Sequence, residues 1–407
     1  MEIHSQRRYI TDIYGGRQGW RLHSTQPRCR IYIMKLSSTF LGVALVALSV
    51  HAAISEAELK ENRAKGLRLL SLKDGVDPVW KTEDDKLALL RAHIRFMSTT
   101  PAPRLLQLPI RLPRSQPADP APSHQTQVKA IIANITLANM QSHLGSLTAF
   151  NNRYYKSQTG VDATNWIVKT VGDIAAKYPT SQATVKAFAH TWIQSSIVAR
   201  IPGTTNGPVT ILGAHMDSIN LSNPTSGRAP GADDDGSGSV NLIEAFRTLL
   251  ASGFKPTTPV EFHWYSAEEA GLLGSQAIAK SYKSAGTQVK AMLQLDMTAY
   301  VKPGSTEVIG LIPDYVDAGL TTYIGSLITA YSRLPFVTSP KCGYACSDHG
   351  SWYNQGYPSA FPFETRFGDH NPTIHSASDT TAATGFSWSH SLEYAKLAVA
   401  FAYELGI

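Results

Sequence analysis

Acidic residues and histidine recur where apolar runs of this sequence end. They are His215, Asp217, Glu268, Glu269 and Asp296, together with three consecutive aspartates, Asp233, Asp234 and Asp235, which lead into a helical segment. Imidazole and carboxylate groups are the side chains that transfer protons and bind metal ions. Each motif alone is also typical of a turn, a helix cap or an exposed helix. Their joint placement after apolar runs therefore indicates a functional site.

The segments around these motifs have the patterns of buried strands and of helices. We predict strands over residues 196–201, 209–213, 260–265 and 291–295, and helices over residues 130–150, 242–250 and 269–282. Strands separated by helices predict an α/β fold with a mixed, mostly parallel central sheet sandwiched by helices. Functional groups in such a sheet lie at the carboxyl ends of its strands.

Six motifs, in order, resemble the signature of the co-catalytic zinc aminopeptidases of the M28 type, and most closely that of the extracellular fungal leucine aminopeptidases. The motifs are His215-Met-Asp217, Ala229–Gly238, Tyr265–Glu269, Gln294–Met297, Cys342–His349 and Ile374-His375. The similarity begins at about Tyr154 and continues to the C-terminus. It implies the zinc-peptidase fold and hydrolysis of peptides from a free N-terminus.

The resemblance also implies a site for two Zn²⁺ ions. It assigns His215 and Asp296 to one ion, Glu269 and His375 to the other, and Asp234 to a bridge between them. These residue types agree with zinc chemistry, since zinc binds imidazole nitrogen and carboxylate oxygen. The resemblance implies that one water contacts both ions and is made acidic by them.

Three further residues match catalytic positions of the family. Glu268 resembles the general base, which takes a proton from the attacking water and returns it to the leaving amine. Asp217 resembles the carboxylate that orients the imidazole of His215. Tyr344 matches a tyrosine that stabilises the oxyanion.

The family positions also predict an apolar pocket for the substrate side chain. Its walls are Met297, Phe361, Phe363, Phe367 and Ile374. Removing a leucine-sized side chain from water contributes about 1.5–3 kcal/mol. The pocket therefore predicts a preference for large apolar N-terminal residues.

Two of the three cysteines lie close together in the part of the chain that carries the resemblance. Cys342 and Cys346 could form a disulfide or half of a zinc site. There is no second cysteine pair to complete a zinc site, and a secreted chain lies in an oxidising compartment. We therefore predict a disulfide, which holds the loop that carries Tyr344.

The N-terminus has the pattern of a presequence. A basic start at Met34 and an apolar run over 41–50 predict a secretory signal peptide, so residues 1–52 are assigned to the presequence. Residues 1–33 are either a mis-called start of translation or a genuine basic extension. The presequence holds seven Lys and Arg against two Asp and Glu, and the rest holds 30 against 29. This balance gives no reason to expect a nucleic-acid partner or an anionic membrane surface. The apolar run has about half the ~20 residues that a membrane-spanning helix needs, so we expect no stable membrane anchor.

The remaining chain divides at a proline-dense stretch. Seven prolines fall over 101–122, and residues 53 to about 97 read as helical and charged. We assign 53–122 to a pro-segment and linker, and 123–407 to the zinc aminopeptidase domain. A small N-terminal domain that stays attached is the alternative.

We expect a secreted, extracellular monomer that acts on peptides with a free N-terminus. Asn134 and Asn220 begin glycosylation sequons. Two other classes remain alternatives: a one-zinc acyltransferase of the glutaminyl cyclase kind on the same fold, and a receptor-like ectodomain without activity. The full five-ligand set and the retained Glu268 count against both.

Overall fold

The computed structural model describes residues 54–92, 94–99 and 121–407. The predicted signal peptide and the residues before it lie outside the described residues, as does most of the predicted linker. Within the described ranges, no helix is long and apolar enough to cross a membrane.

The predicted pro-segment contains both helices and strands. Its elements are α1 (Glu56–Ala64), β1 (Arg68–Ser71), β2 (Val79–Lys81), α2 (Glu83–Arg91) and β3 (Met97–Ser98), and the strands form an antiparallel sheet in the order β2-β1-β3. The prediction of a helical segment is therefore confirmed for α1 and α2 and wrong for the residues that form the three strands. Gly66 and Gly75 have φ angles of 78° and 72°, which end α1 and turn the chain between β1 and β2. Thr82 then begins α2 through a capping box with Asp85.

The rest of the chain alternates between strands and helices. The strands are β4 (Thr184–Phe188), β5 (Ser196–Ile201), β6 (Val209–His215), β7 (Val260–Tyr265), β8 (Val289–Gln294), β9 (Ile309–Leu311), β10 (Phe336–Thr338), β11 (Ser359–Ala360) and β12 (Pro362–Phe363). The helices are α3 (Gln125–Ile132), α4 (Leu137–Ala149), α5 (Gln158–Lys177), α6 (Gly238–Ala251), α7 (Leu273–Ser284), α8 (Ala318–Tyr331), α9 (His349–Asn354) and α10 (Trp388–Gly406).

Six strands form the central sheet, in the order β11-β8-β6-β7-β5-β4. The first four are parallel, β5 is antiparallel to β7, and β4 is antiparallel to β5. The predicted mixed, mostly parallel sheet is confirmed. Strands 196–201 and 260–265 have the predicted bounds, whereas 209–213 continues to His215 and 291–295 is shifted to 289–294.

Two predicted helices differ from those observed. The predicted helix 130–150 is two helices, α3 and α4, because the backbone N–H of Thr136 donates to the Glu244 carboxylate at 2.6 Å and leaves the helical pattern. The predicted helix 269–282 begins only at Leu273, since Gly271 and Leu272 have φ angles of 97° and 62°. Glu269 therefore lies in a loop.

Both faces of the central sheet are buried at β6, β7 and β8, and alternate residues of each strand point to opposite faces. Leu212 and Ala214 of β6 belong to the large apolar core that contains α6 and α10. Ile211 of the same strand joins Ile278 of α7 and Trp352 of α9 in a second core. This packing holds the strand ends, and the loops that follow them, against a rigid layer.

Candidate metal centre

Three neighbouring parallel strands end at the edge of the sheet where the predicted site lies. His215 is the last residue of β6, Glu268 and Glu269 follow β7, and Asp296 follows β8. The order β8-β6-β7 brings these three strand ends together, as the sequence predicts.

A turn over 232–237, directly before α6, adds the middle aspartate of the acidic run. Asp234 departs from helical geometry, at φ −103° and ψ 98°. Gly231 precedes this turn with φ 53°, and a Cβ there would lie 2.6 Å from the Asp234 carbonyl oxygen. Only glycine fits this close approach.

One proposed ligand and two residues close to proposed ligands have strained backbones. Ala267, Met297 and His375 have positive φ angles of 59°, 56° and 58°. Such strain in residues other than glycine persists only where surrounding contacts hold it, and it concentrates at functional sites.

The five predicted metal ligands form two groups that share Asp234. The groups are His215, Asp234 and Asp296, and Asp234, Glu269 and His375, with the ligand atoms of each group within 4.8 Å of one another. In the first group, His215 Nε2 lies 3.0 Å from Asp234 Oδ1 and 3.4 Å from Asp296 Oδ1. In the second, His375 Nε2 lies 2.8 Å from Asp234 Oδ2 and 3.0 Å from Glu269 Oε2.

The unsatisfied oxygens of these groups fit a metal ion. Both carboxylate oxygens of Glu269 and Oδ1 of Asp296 are buried and accept no hydrogen bond from the described residues. A buried carboxylate oxygen without a partner is costly. Imidazole with carboxylate suits zinc, whereas magnesium and calcium prefer oxygen ligands alone.

Glu268 and Tyr344 line the same cavity as Asp234, Glu269, Asp296 and His375. Burial raises the pKa of Glu268 well above its usual range, and the neighbouring Glu269 raises it further against the opposing effect of His215. Burial also raises the pKa of Tyr344 to about 12, so its hydroxyl keeps its proton at neutral pH. The cavity therefore places one buried carboxyl group and one hydroxyl donor beside the two groups.

Asp217 makes contacts beyond the one predicted. Its Oδ1 lies 3.5 Å from His215 Nδ1, whereas its backbone oxygen lies 3.1 Å from that nitrogen. Its carboxylate oxygens accept the backbone N–H groups of Glu268 and Glu269, at 3.0 and 3.2 Å. The carboxylate and the backbone carbonyl of Asp217 thus both lie against the imidazole, and the carboxylate also holds the loop of the two glutamates.

The five predicted pocket residues lie in one apolar cluster. Met297, Phe361 and Phe363 are buried there with Ile312, and Phe367 and Ile374 pack against them. The predicted disulfide between Cys342 and Cys346 is present and borders the same cluster.

The two sequon asparagines have different environments. Asn134 is exposed and its amide donates to the Ala130 carbonyl at 2.9 Å. The Asn220 amide donates to Arg228 at 2.8 Å, and its carbonyl oxygen accepts from Ser222 at 2.9 Å. Glycosylation at either remains a prediction.

Four residues outside the predicted set contact the site. Asp235 and Asp379 bind backbone N–H groups of the site loops, Ser347 donates to Asp296 Oδ2 at 2.5 Å, and Arg95 approaches from the predicted pro-segment. Asp235 and Ser347 lie within quoted motifs, and Asp379 comes four residues after His375, so proximity in the sequence is a signal for these three. No local signal exists for Arg95.

Arg95 lies against the second group. Its Nη2 is 2.9 Å from Nε2 and 3.1 Å from Nδ1 of His375, and its Nη1 is 3.6 Å from Glu269 Oε2. Neighbouring Phe96 packs on Gly271, and the Ser98 backbone N–H donates to the Gly271 carbonyl at 3.1 Å. The segment around Arg95 is thereby tied to the loop that follows the two glutamates.

Comparisons with known proteins agree with this geometry. The model of peptidase family M28 matches residues 196–402. Leucine aminopeptidase 1 of Phaeosphaeria nodorum is 43% identical over 383 residues, covering 89% of this chain and 95% of that protein. The Legionella pneumophila LapA aminopeptidase has a similar structure, with a TM-score of 0.74 and 32% identity over 84% of this chain and 98% of that one.

A structure with lower sequence identity has a similar fold. Glutaminyl cyclase of Porphyromonas gingivalis has a TM-score of 0.52 and 18% identity, covering 65% of this chain and 96% of that one. This likeness concerns the fold alone. The family match and the high identity to an aminopeptidase confirm the resemblance seen in the motifs. The chain belongs to peptidase family M28 and is an aminopeptidase, a hydrolase that acts on the N-termini of peptides.

Proposed function

We propose that this protein is a secreted two-zinc aminopeptidase that removes large apolar, leucine-like residues from peptides. The observation that carries the proposal is the pair of ligand groups sharing Asp234, placed beside Glu268 in a cavity that is also lined by Met297 of the apolar cluster. His215 and Asp296 would hold one ion, Glu269 and His375 the other, and Asp234 both. Secretion rests on the predicted signal peptide and on the resemblance to extracellular fungal enzymes.

When bound, the two ions would lower the pKa of a water, polarise the scissile carbonyl and bind the substrate's free α-amine. Glu268 takes a proton from the attacking water and returns it to the leaving amine. Asp217 fixes this glutamate's backbone, which keeps its carboxylate directed at the ligand groups. The Tyr344 hydroxyl donates a hydrogen bond to the oxyanion, and the disulfide holds its loop.

The apolar cluster supplies the preference for the N-terminal residue. Phe361 and Phe363 have ring centroids 5.5 Å apart, in a wall that includes Met297. Because burying a leucine side chain contributes about 1.5–3 kcal/mol, leucine should be preferred over glycine by about ten- to a hundredfold.

The contacts of Arg95 support a latent precursor. With the pro-segment docked, a guanidinium lies against His375 and Glu269, and Leu90, Arg95 and Phe96 line the cavity. A substrate amine would have to displace this cation. Removal of residues 53–122 would therefore open the site, which gives the pro-segment the role of an inhibitor.

Metal removal and a blocked substrate test the function together. Exhaustive chelation should abolish release of leucine from a leucine anilide, and added zinc or cobalt should restore it. N-acetylation of the same substrate should eliminate cleavage, because no free amine remains. Activity in the metal-free protein would reject the metal mechanism, and cleavage of the blocked substrate would indicate an endopeptidase. Release of ammonia from N-terminal glutamine would instead identify a cyclase.

A further inference from the structure

Asp379 holds the turn that carries the shared aspartate. Its Oδ1 accepts the backbone N–H of Asp233 and its Oδ2 that of Asp234, each at 3.1 Å, and the residue is 1% exposed. Its own backbone oxygen accepts the N–H of Ala232 at 3.2 Å. Asp379 follows His375 by four residues, so one loop supplies a proposed ligand and the anchor for another.

Asp235 also accepts backbone N–H groups, but it lies within the turn of Asp234 and binds the segments around it. Its Oδ2 accepts the backbone N–H of His215 at 3.0 Å, and its Oδ1 accepts those of Met297 at 3.2 Å and Gly238 at 2.9 Å. It therefore ties the turn of Asp234 to the ends of β6 and β8. Asp235 is fully buried.

Asp217 completes a ring of such contacts. Beside His215, it holds the backbone of Glu268 and Glu269. Glu269 in turn shares its group with His375, whose loop contains Asp379. Each loop with a proposed ligand is thus joined to the next. The join is a carboxylate bound to backbone N–H groups, except between the loops of Glu269 and His375, which meet in the second ligand group.

A buried cation lies among these carboxylates. Arg153 is fully buried, and its guanidinium donates to the carbonyls of Met216 at 2.6 Å and Gly231 at 2.9 Å, and also to that of Pro230. These carbonyls lie on the loops that carry His215 and Asp234. The charge of Arg153 offsets part of the negative charge of the ring.

We propose that Asp379 and Asp235 are positioning residues. They hold the backbone of the loops that carry the ligands, and so fix the positions of the two ligand groups relative to each other, without being ligands themselves. The inference rests on the proposed two-zinc function. Hydrogen bonds from backbone N–H groups to a carboxylate are strong, and two from one residue fix the direction of a turn. Because Asp379 holds the backbone of the shared Asp234, its loss should weaken both ions together.

The test compares two aspartates with the same bonding pattern. Asp379→Asn loses one of two backbone acceptors while keeping the side-chain shape. Asp314→Asn is the matched control, since Asp314 accepts the N–H groups of Cys342 at 3.1 Å and Gly343 at 2.7 Å in the loop of Tyr344, which contains no proposed ligand. Zinc stoichiometry and affinity are measured in the full chain by competition with a chelator, together with kcat and KM.

For Asp379→Asn we expect the affinity for both ions to fall about 10- to 100-fold, and kcat to recover in excess zinc because Glu268 is intact. Asp314→Asn should leave both zinc affinities unchanged. If Asp379→Asn does not fold, Asp379→Glu retains the charge but displaces its acceptors, and it should show the same joint loss.

Equal zinc affinities in the Asp379 and Asp314 variants would overturn the inference, as would loss of only one ion. Failure of the proposed function gives a different result, since the unaltered chain would then bind fewer than two ions.

Discussion

The two ligand groups share Asp234 but differ in what surrounds their other members. In the first group, Asp296 accepts a hydrogen bond from Ser347, and His215 is held through its backbone by Asp235. In the second, Glu269 and His375 lie beside the guanidinium of Arg95, which belongs to the predicted pro-segment.

The two groups therefore differ in which part of the chain can change their affinity for a metal ion. The contacts of the first group come from residues of the predicted catalytic domain, whereas Arg95 of the predicted pro-segment reaches the second. A positive charge beside Glu269 and His375 opposes binding of a cation at the same place. In the unprocessed chain we therefore expect the first ion to bind more tightly than the second.

The largest expected effect distinguishes the two adjacent glutamates. Glu268→Gln removes the proton acceptor but no ligand, so zinc content should stay at two per chain while kcat falls about 10²- to 10⁴-fold. Glu269→Gln should weaken the second ion only, and excess metal should partly restore activity. Metal analysis and steady-state kinetics on both variants measure this.

Two zincs and unaltered rates in both glutamine variants would show that the site is assigned wrongly. If the effects were exchanged, the mechanism would hold with the two glutamates in reversed roles.

The role of Arg95 can be isolated in the unprocessed chain. Arg95→Ala should raise the affinity for the second ion by about ten- to a hundredfold, because hydrogen bonds to charged groups contribute about 1.5–3 kcal/mol. Arg91→Ala is the control, since its guanidinium donates to the Leu221 carbonyl at 2.9 Å and contacts no proposed ligand. Zinc titration by calorimetry resolves the two ions. If the affinity for the second ion is unchanged in Arg95→Ala, the pro-segment does not regulate metal binding through this residue.

Ser347→Ala should change the affinity for the first ion, whereas Arg95→Ala should change that for the second. Loss of its hydrogen bond to Asp296 should lower the affinity for the first ion about tenfold and leave the second unaffected. Ser351→Ala serves as control, because Ser351 is buried nearby but bonds to Ser275 at 2.7 Å. Chelator competition measures both affinities, and an equal loss of both ions would contradict the separation of the groups.

The smallest effect concerns docking of the pro-segment at acid pH. Burial of Glu83 disfavours its charge, but Lys86 and Lys156 outweigh burial and hold its pKa below the usual value. Lys156 and Tyr155 lie outside the predicted pro-segment. The Lys156 Nζ is 3.2 Å from Glu83 Oε1, and the Tyr155 hydroxyl donates to the same oxygen at 3.0 Å. Because the docked pKa is depressed, this contribution to docking is complete above the free carboxyl's pKa and is lost as pH falls through the docked value.

Hydrogen exchange over α2 should therefore become faster at acid pH, by a modest factor because the pair is partly exposed. Glu83→Gln should abolish that part of the pH dependence. The same pH dependence in Glu83→Gln would exclude this carboxyl as its origin.

Much of the fold could be predicted because strand and helix patterns are local. Residues 196–201 and 260–265 are apolar runs bounded by turns, and they form strands with the predicted bounds. The helix predicted from Glu269 failed because apolar spacing does not report a positive φ at Gly271. The break between α3 and α4 was missed since Thr136 bonds to Glu244, 108 residues away.

The sequence by itself determined the types of the site residues and their positions at the ends of strands. The resemblance of the ordered motifs to a known family supplied the five candidate ligands and the candidate pocket residues, and the cysteine count supplied the predicted disulfide pair. The tertiary structure alone decided which backbone N–H groups Asp217, Asp235 and Asp379 hold. It also placed Arg95 against His375, 280 residues later in the chain. Such contacts depend on how strands pair and loops pack, and no local periodicity encodes them.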